Sequence, residues 1–272
     1  MYPEMTKAGL NVSQSVIGVD ETGTQRVLQL VGERAMTIYV DKQEIVTLMT
    51  IGSHPELLTL GYLKNQGFFE RIEEIKVVQV DWETDSVAVV TAGENSDFSE
   101  QMQRRTVTTG CGQGTVFGRL MDKLQEIRVP KNQVCQSTLY ALLDSVRTHN
   151  EVYKKAGAVH GCALYKGDQL ELFVEDVGRH NAVDAIAGYM WQHGISGNNK
   201  IFYTTGRLTS EMVIKISQMG IPVLLSRSGA TQMGLEMAQL SGVTLISRSR
   251  GKHFMVLNGA QNIEFDVLSN SE

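Results

Sequence analysis

Cysteine is scarce in this chain. Cys111, Cys135 and Cys162 stand far apart along 272 residues, and no C-x-x-C pair occurs. An odd, scattered set of thiols is no disulfide framework, so a reducing cytoplasm is the expected setting. No apolar run approaches the roughly 20 residues needed to span a bilayer, so no membrane is expected as a partner. The start, Met1-Tyr2-Pro3-Glu4-Met5-Thr6-Lys7, has no apolar run behind a basic head, and no secretory signal is read from it. Basic excess is missing too. A net charge of −5 argues against general nucleic-acid binding, which needs a basic face to neutralise phosphates. The chain also lacks a G-x-x-x-x-G-K-[ST] loop, a G-x-S-x-G elbow and a P-C-x-x-C segment. These absences argue against a P-loop nucleotidase and an α/β-hydrolase, and leave a zinc nucleoside deaminase as a remote reading that a metal assay would end.

What is present is enough apolar residue, 42%, for a folded core. Residues 1–33 are polar and weakly patterned, and read as a tail leading into a first strand. Met36–Val40 and Glu44–Met49 read as strands about a turn at Asp41-Lys42-Gln43. Pro55 suits the first position of a helix that ends near Gly67. Glu74–Asp81 and Ser86–Ala92 read as a hairpin. The spacing predicts a small inserted α+β domain over 52–108. The main α/β domain is then 34–51 plus 109–272.

In the second half, Leu139, Leu142, Leu143 and Val146 repeat at helical spacing, as do Val183, Ile186, Ala187 and Met190. Val159–Tyr165 and Gln169–Val174 read as a hairpin. From Lys200 to Ser247, short apolar runs alternate with helical patterns, which implies parallel strands with right-handed crossovers.

Four segments carry candidate chemistry. Thr204-Thr205-Gly206-Arg207 and Ser226-Arg227-Ser228-Gly229-Ala230-Thr231 each join a strand to a helix, where free amides and the helix dipole suit an anion. Ordinary βα-turn capping accounts for either loop taken alone. Arg248-Ser249-Arg250-Gly251-Lys252-His253 carries three cations, a histidine and no acid, a composition suited to pyrophosphate; a solvated turn between strands is the plain alternative. Glu175-Asp176-Val177-Gly178-Arg179-His180-Asn181 ends a strand and opens a helix. A cap and an ion pair explain most of it, and His180 is left over for positioning or acid–base work. His160 reads as structural. Finally, Cys111 sits in the loop Gly110-Cys111-Gly112-Gln113-Gly114 with no apolar neighbour to pack it, unlike Cys162 between Gly161 and Ala163. It is either an incidental loop cysteine or a thiol presented to a partner. Cations or the amides of a helix over 115–126 would be needed to activate it.

The stretch Glu175-Asp176-Val177-Gly178-Arg179-His180-Asn181-Ala182-Val183-Asp184 resembles the signature of the formate dehydrogenase accessory sulfurtransferases, the FdhD family. So do Gly206-Arg207, Ser210-Glu211-Met212-Val213 with Lys215, Gly220-Ile221-Pro222, Ser226-Arg227-Ser228, Val243-Thr244-Leu245 and Gly110-Cys111-Gly112. The resemblance runs from about residue 34 to 258. It implies a cytidine-deaminase-like layered α/β fold without zinc, plus a small inserted domain. It implies a homodimer that takes sulfur from a cysteine desulfurase as a persulfide on Cys111. It also implies delivery to the bis-molybdopterin guanine dinucleotide cofactor of formate dehydrogenase. Arg248, Ser249, Arg250, Gly251, Lys252 and His253 would then hold that cofactor, with Asp176, His180, Arg207 and Ser226 positioning it. Many relatives carry C-G-x-C-G in the loop, whereas Gly114 stands here in place of the second cysteine. The Gly-Phe often found at 247–249 is also missing. A single thiol leaves a second reading, a non-covalent chaperone for the molybdenum cofactor or a guanine nucleotide.

Overall fold

The computed structural model describes residues 2–11, 13–93, 106–107, 114–115 and 127–267. In chain order the first strands are β1 (Glu4–Met5), β2 (Ser13–Val19), β3 (Gln25–Val31), β4 (Arg34–Val40) and β5 (Gln43–Thr50). Helix α1 (Pro55–Asn65) follows, then β6 (Ile75–Asp81), β7 (Ser86–Thr91) and the short β8 (Thr106–Val107) and β9 (Gly114–Thr115). Next come β10 (Val134–Cys135), α2 (Gln136–His149), α3 (Glu151–Ala156), β11 (His160–Lys166) and β12 (Gln169–Asp176). The rest is α4 (Arg179–Gln192), β13 (Lys200–Thr204), α5 (Ser210–Gln218), β14 (Val223–Ser226), α6 (Gln232–Ser241), β15 (Thr244–Arg250), β16 (His253–Asn258) and β17 (Ile263–Glu264). The fold is mixed α/β, as expected. No helix among the described residues is long and apolar enough to cross a membrane.

Two compact units form. The first gathers Met1–Phe117, Asn150–His160 and Glu175–His193. Its five-stranded sheet runs in the order β1-β6-β7-β4-β5. Alternate residues are buried along these strands: Met36, Ile38 and Val40 on β4, Val87 and Val89 on β7. That period of two is the mark of a sheet with one face on a core. The expected domain boundary between 51 and 52 falls inside this sheet, because β4 and β7 pair in parallel from Thr37↔Ser86 to Val40↔Val89. Chain proximity suggested the insertion; strand pairing joins its hairpin to the strands before it. The expected tail is also different. Residues 13–31 form the antiparallel ribbon β2–β3, closed by a turn in which the Asp20 carboxylate accepts from the Thr22 and Thr24 amides. No one-sided apolar alternation announced it, since neither face is fully buried.

Helices α1 and α4 cross at van der Waals contact of their backbones. A Cβ on Gly61 would stand 1.7 Å from the Asp184 carbonyl oxygen, and one on Gly188 would stand 2.0 Å from that of Leu57. At one end of the crossing, Asn65 Nδ2 donates to Asp184 Oδ1 at 2.7 Å. Helix α4 is buried at Val183, Ile186, Ala187 and Met190, the face read from its spacing, and on most of its other sides as well.

The second unit gathers Gly118–His149, Gly161–Val174 and Gly194–Glu272. Its six-stranded sheet runs β12-β11-β13-β14-β15-β16. The middle strands β13, β14 and β15 are parallel, and the flanking pairs antiparallel. Every residue of β13 and β14 is buried, which is why they read as unbroken apolar runs. On one side the sheet packs against Leu139, Leu142, Leu143 and Val146 of α2, around Tyr165, Tyr203, Leu225 and Ile246.

Candidate functional site

Because β13, β14 and β15 are parallel, the three segments that follow them leave from one edge of the sheet, the usual place for a ligand in open α/β sheets. Backbone hydrogen bonds tie those segments together. The Arg227 amide donates to the Thr204 carbonyl at 3.1 Å, Leu208 to Gly229 at 3.0 Å and Arg248 to Ser228 at 2.8 Å. The hydroxyls here hold the loops. Ser226, fully buried, donates to the Gly206 carbonyl at 2.6 Å and accepts from the Ser228 amide at 2.9 Å. Thr204 Oγ1 accepts from the Gly206 amide at 3.0 Å, and Thr205 Oγ1 accepts from Gly161 at 3.0 Å. Thr231 caps α6 by accepting from the Gly234 amide, so one of that helix's free amides is already satisfied.

Arg207 projects from the first loop with its side chain exposed. The basic segment is part strand, part turn. A register shift between Ser247 and Arg250 marks a bulge, and Arg248 lies in it with φ 51°. Ser249 is buried, while Arg248 and Arg250 on either side of it are exposed. Arg250 pairs with His253 across Gly251 and Lys252, with Gly251 at φ 56° in the first central position of a two-residue hairpin turn. A Cβ at Gly251 would meet nothing within 4 Å, so the turn stands open. Arg248, Arg250, Lys252 and His253 thus present exposed cationic or ring groups at one strand end.

Behind them stands Tyr203. Burial pushes its hydroxyl up to about 12, opposed by the positive charges of Arg227 and Arg250. Both guanidiniums therefore lie within electrostatic reach of one phenol. Arg227 was part of a loop singled out in the sequence but had no role there. The register Tyr203↔Leu225, two residues before Arg227, is what brings it in, and pairing of that kind is not written in either segment alone.

Asp176 and His180 belong to the first unit. Asp176 is 3% exposed and accepts four hydrogen bonds. They come from Thr50 Oγ1 at 2.5 Å, the Ile51 amide at 3.3 Å, the Gly178 amide at 3.0 Å and Asn181 Nδ2 at 2.8 Å. Asn181 also donates to the Met49 carbonyl at 2.7 Å. The signature carboxylate thus fastens the end of β5 to the start of α4. Burial raises its pKa above the usual carboxylate range, against the lowering effect of those donors. Glu175 accepts from the Val152 and Tyr153 amides at 2.9 Å each, at the start of α3. His180 is enclosed in the first turn of α4, 4% exposed, and His160 is half-buried at the head of β11.

Two thiols are described. Cys162 is fully buried, its Sγ 3.3 Å from Thr204 Oγ1. Cys135 is half-buried with Sγ 3.6 Å from Glu264 Oε2, and burial followed by the Glu264 and Asp266 carboxylates pushes its thiol pKa up. Cys111 and the expected helix over 115–126 lie outside the described residues, apart from Thr115. Strands β8 and β9 pair Thr106↔Thr115 and Val107↔Gly114.

The FdhD/NarQ family matches residues 31–264 of this chain. A sulfur carrier protein FdhD from Bacillus pumilus is 30% identical over 237 residues, covering 86% of this chain and 90% of that protein. One from Wolinella succinogenes is 26% identical over 251 residues, covering 90% and 88%. Among solved structures, one described as a formate dehydrogenase accessory protein from Desulfotalea psychrophila aligns with a TM-score of 0.75 at 26% identity. It covers 93% of this chain and 100% of that one.

Proposed function

The chain belongs to the FdhD/NarQ family, and from that premise we propose that it is a sulfurtransferase. Cys111 accepts persulfide sulfur from a cysteine desulfurase, and the protein, a cytoplasmic homodimer, delivers it to the bis-molybdopterin guanine dinucleotide cofactor of a formate dehydrogenase. The relatives' naming as sulfur carriers supports the general role. The observation that carries the choice of thiol is the condition of the other two. A thiolate is the nucleophile in sulfur exchange. Cys162 is sealed in the sheet, and burial together with the Glu264 and Asp266 carboxylates raises the pKa of the Cys135 thiol, which disfavours its thiolate. Glycine-flanked Cys111 is left as the acceptor.

In the loading step the Cys111 thiolate attacks the outer sulfur of the donor's persulfide. A new S–S bond forms on Cys111 as the donor's own S–S bond breaks, and the donor cysteine leaves as thiolate. The exchange needs no outside oxidant or reductant, and one thiol is enough for it, so Gly114 in place of a second cysteine is no obstacle.

The basic edge of the second unit suits the cargo. Arg248, Arg250, Lys252 and His253 stand exposed about an open Gly251 turn, with Arg207 exposed in the first loop. The charges of Arg227 and Arg250 both act on Tyr203. Such a group matches a pyrophosphate-bearing nucleotide. Ser249 and Ser226 shape the edge from below through their buried hydroxyls. Asp176 sets the α4 start that carries His180.

Intact-protein mass spectrometry after incubation with a cysteine desulfurase and cysteine tests the reading. The expected result is a reductant-sensitive gain of sulfur that disappears in Cys111→Ser. No gain beside a working desulfurase would overturn it. Retained guanine-nucleotide binding, lost in Arg250→Ala and Lys252→Ala, would then favour the non-covalent chaperone.

A further inference from the structure

The ribbon β2–β3 exposes apolar side chains that no other element among the described residues covers. Ile17 is 71% exposed, Val19 67%, Val27 73%, Leu28 50% and Leu30 46%. Ile17 and Val27 sit directly opposite one another, as do Val16 and Leu28. Within the chain β3 packs against α3, whose Tyr153 is itself 40% exposed. Both outer edges of the two-stranded ribbon are unpaired among the described residues. The ribbon also precedes the span matched by the family, apart from Val31.

Soluble proteins guard free strand edges with lysine, proline or bulges. This ribbon has none of them. Its register runs unbroken from Ser13↔Val31 to Val19↔Gln25, and the strands read SQSVIGV and QRVLQLV. Its acids gather in the turn, where Asp20 pairs with Arg26 at 2.8 Å. An unguarded apolar ribbon needs cover that is always available, and a second copy of the same chain is the one partner synthesised with it.

Size points the same way. Two seven-residue strands at about 3.4 Å per residue make a ribbon about 24 Å long and about 10 Å wide. With one face partly on α3, it buries roughly 350 Å² on its own side and as much on its partner's. A one-sided complex would total about 700 Å², the size of a casual lattice contact, whereas a reciprocal clasp doubles this to about 1,400 Å², inside the range of stable interfaces. A twofold arrangement also brings like surface to like, which strands whose one charge, Arg26, is paired with Asp20 tolerate.

We propose that the β2–β3 ribbon is a dimerisation arm, with each copy's ribbon lying on the other copy about a twofold axis. This rests on the homodimer in the reading above and names its interface. The test is sedimentation equilibrium across the micromolar range on the full chain and on Ile17→Glu/Val27→Lys. That variant places opposite charges on facing positions, so the hairpin keeps a cross-strand attraction while its apolar face is lost. The wild type is expected to be dimeric, and the variant to dimerise at least about 100-fold more weakly with an unchanged thermal melt. Ile17→Thr/Val27→Thr, which preserves strand propensity without charge, should weaken the dimer in the same direction. A dimer equally tight in both variants would overturn the interface and leave the homodimer standing. A monomeric wild type, or open-ended polymers, would overturn both. Sulfur loading of Cys111 is read separately by mass and does not depend on either result.

Discussion

Asp176 shows how a signature residue acts through structure. Its carboxylate takes four donors that have no water to turn to. Truncation to alanine orphans them, and the expected cost is about 3 kcal/mol in urea unfolding. The pH dependence has a definite sign. Burial raises the folded pKa above 3.8, so the folded chain keeps a proton that the unfolded chain has released. The contribution of this group is therefore fully present below the unfolded value and is lost as pH rises through the raised one. Asp176→Asn cannot titrate, so its stability deficit should be larger at mildly acid pH than at neutral pH. A deficit that grows toward neutrality would contradict the burial argument. Asp20 has the opposite sign. Hydrogen bonds from Thr22, Arg26 and Thr24 pull its pKa down to about 2. What it gives the ribbon turn is present above 3.8 and lost as pH falls through about 2. Amide exchange at Thr22 and Thr24, corrected for intrinsic rates, should lose protection over that window while the sheet amides keep theirs.

At the scale of elements, periodicity was enough wherever burial was one-sided. The α2 face of Leu139, Leu142, Leu143 and Val146 is buried as read, and the run from Lys200 to Ser247 became alternating parallel strands and helices. The ribbon over 13–31 was invisible for the opposite reason: strands with no buried face have no alternation to read. The crossing of α1 and α4 was also out of reach. Gly61 and Gly188 are ordinary residues in sequence, and only the packed helices show that each meets a backbone. Gly188→Ala must push the helices apart or distort α4. The expected loss is about 2–4 kcal/mol, read as a drop in melting temperature. Glycine-to-alanine change in a helix would otherwise stabilise by roughly 0.5–1 kcal/mol, so the sign of the shift decides whether the contact is real.

For the molecule as a whole, the α/β class and the family were legible from the ordered signature at 175–184, yet the division into units was not. Each unit is assembled from separated stretches, and the linear sequence offers no mark where one hands over to the other. The candidate site shows the same limit. Three loops at one sheet edge were foreseeable from the strand–helix alternation, since parallel strands must release their loops on one side. Their mutual hydrogen bonds depend on register, which adjacent residues do not encode.

The three-part build of the first unit also fixes an order of events on the ribosome. Thr50 must wait for Asp176, 126 positions later, and Met49 for Asn181, 132 positions later. At about 5–20 residues per second, the amino-terminal sheet emerges roughly 6–26 s before the segment that locks its last strand. Over that interval the face of α1 meant for α4 has no native cover. A nascent chain of this protein is thus expected to need holding chaperones, and a slow codon run after residue 93 should lengthen its exposure.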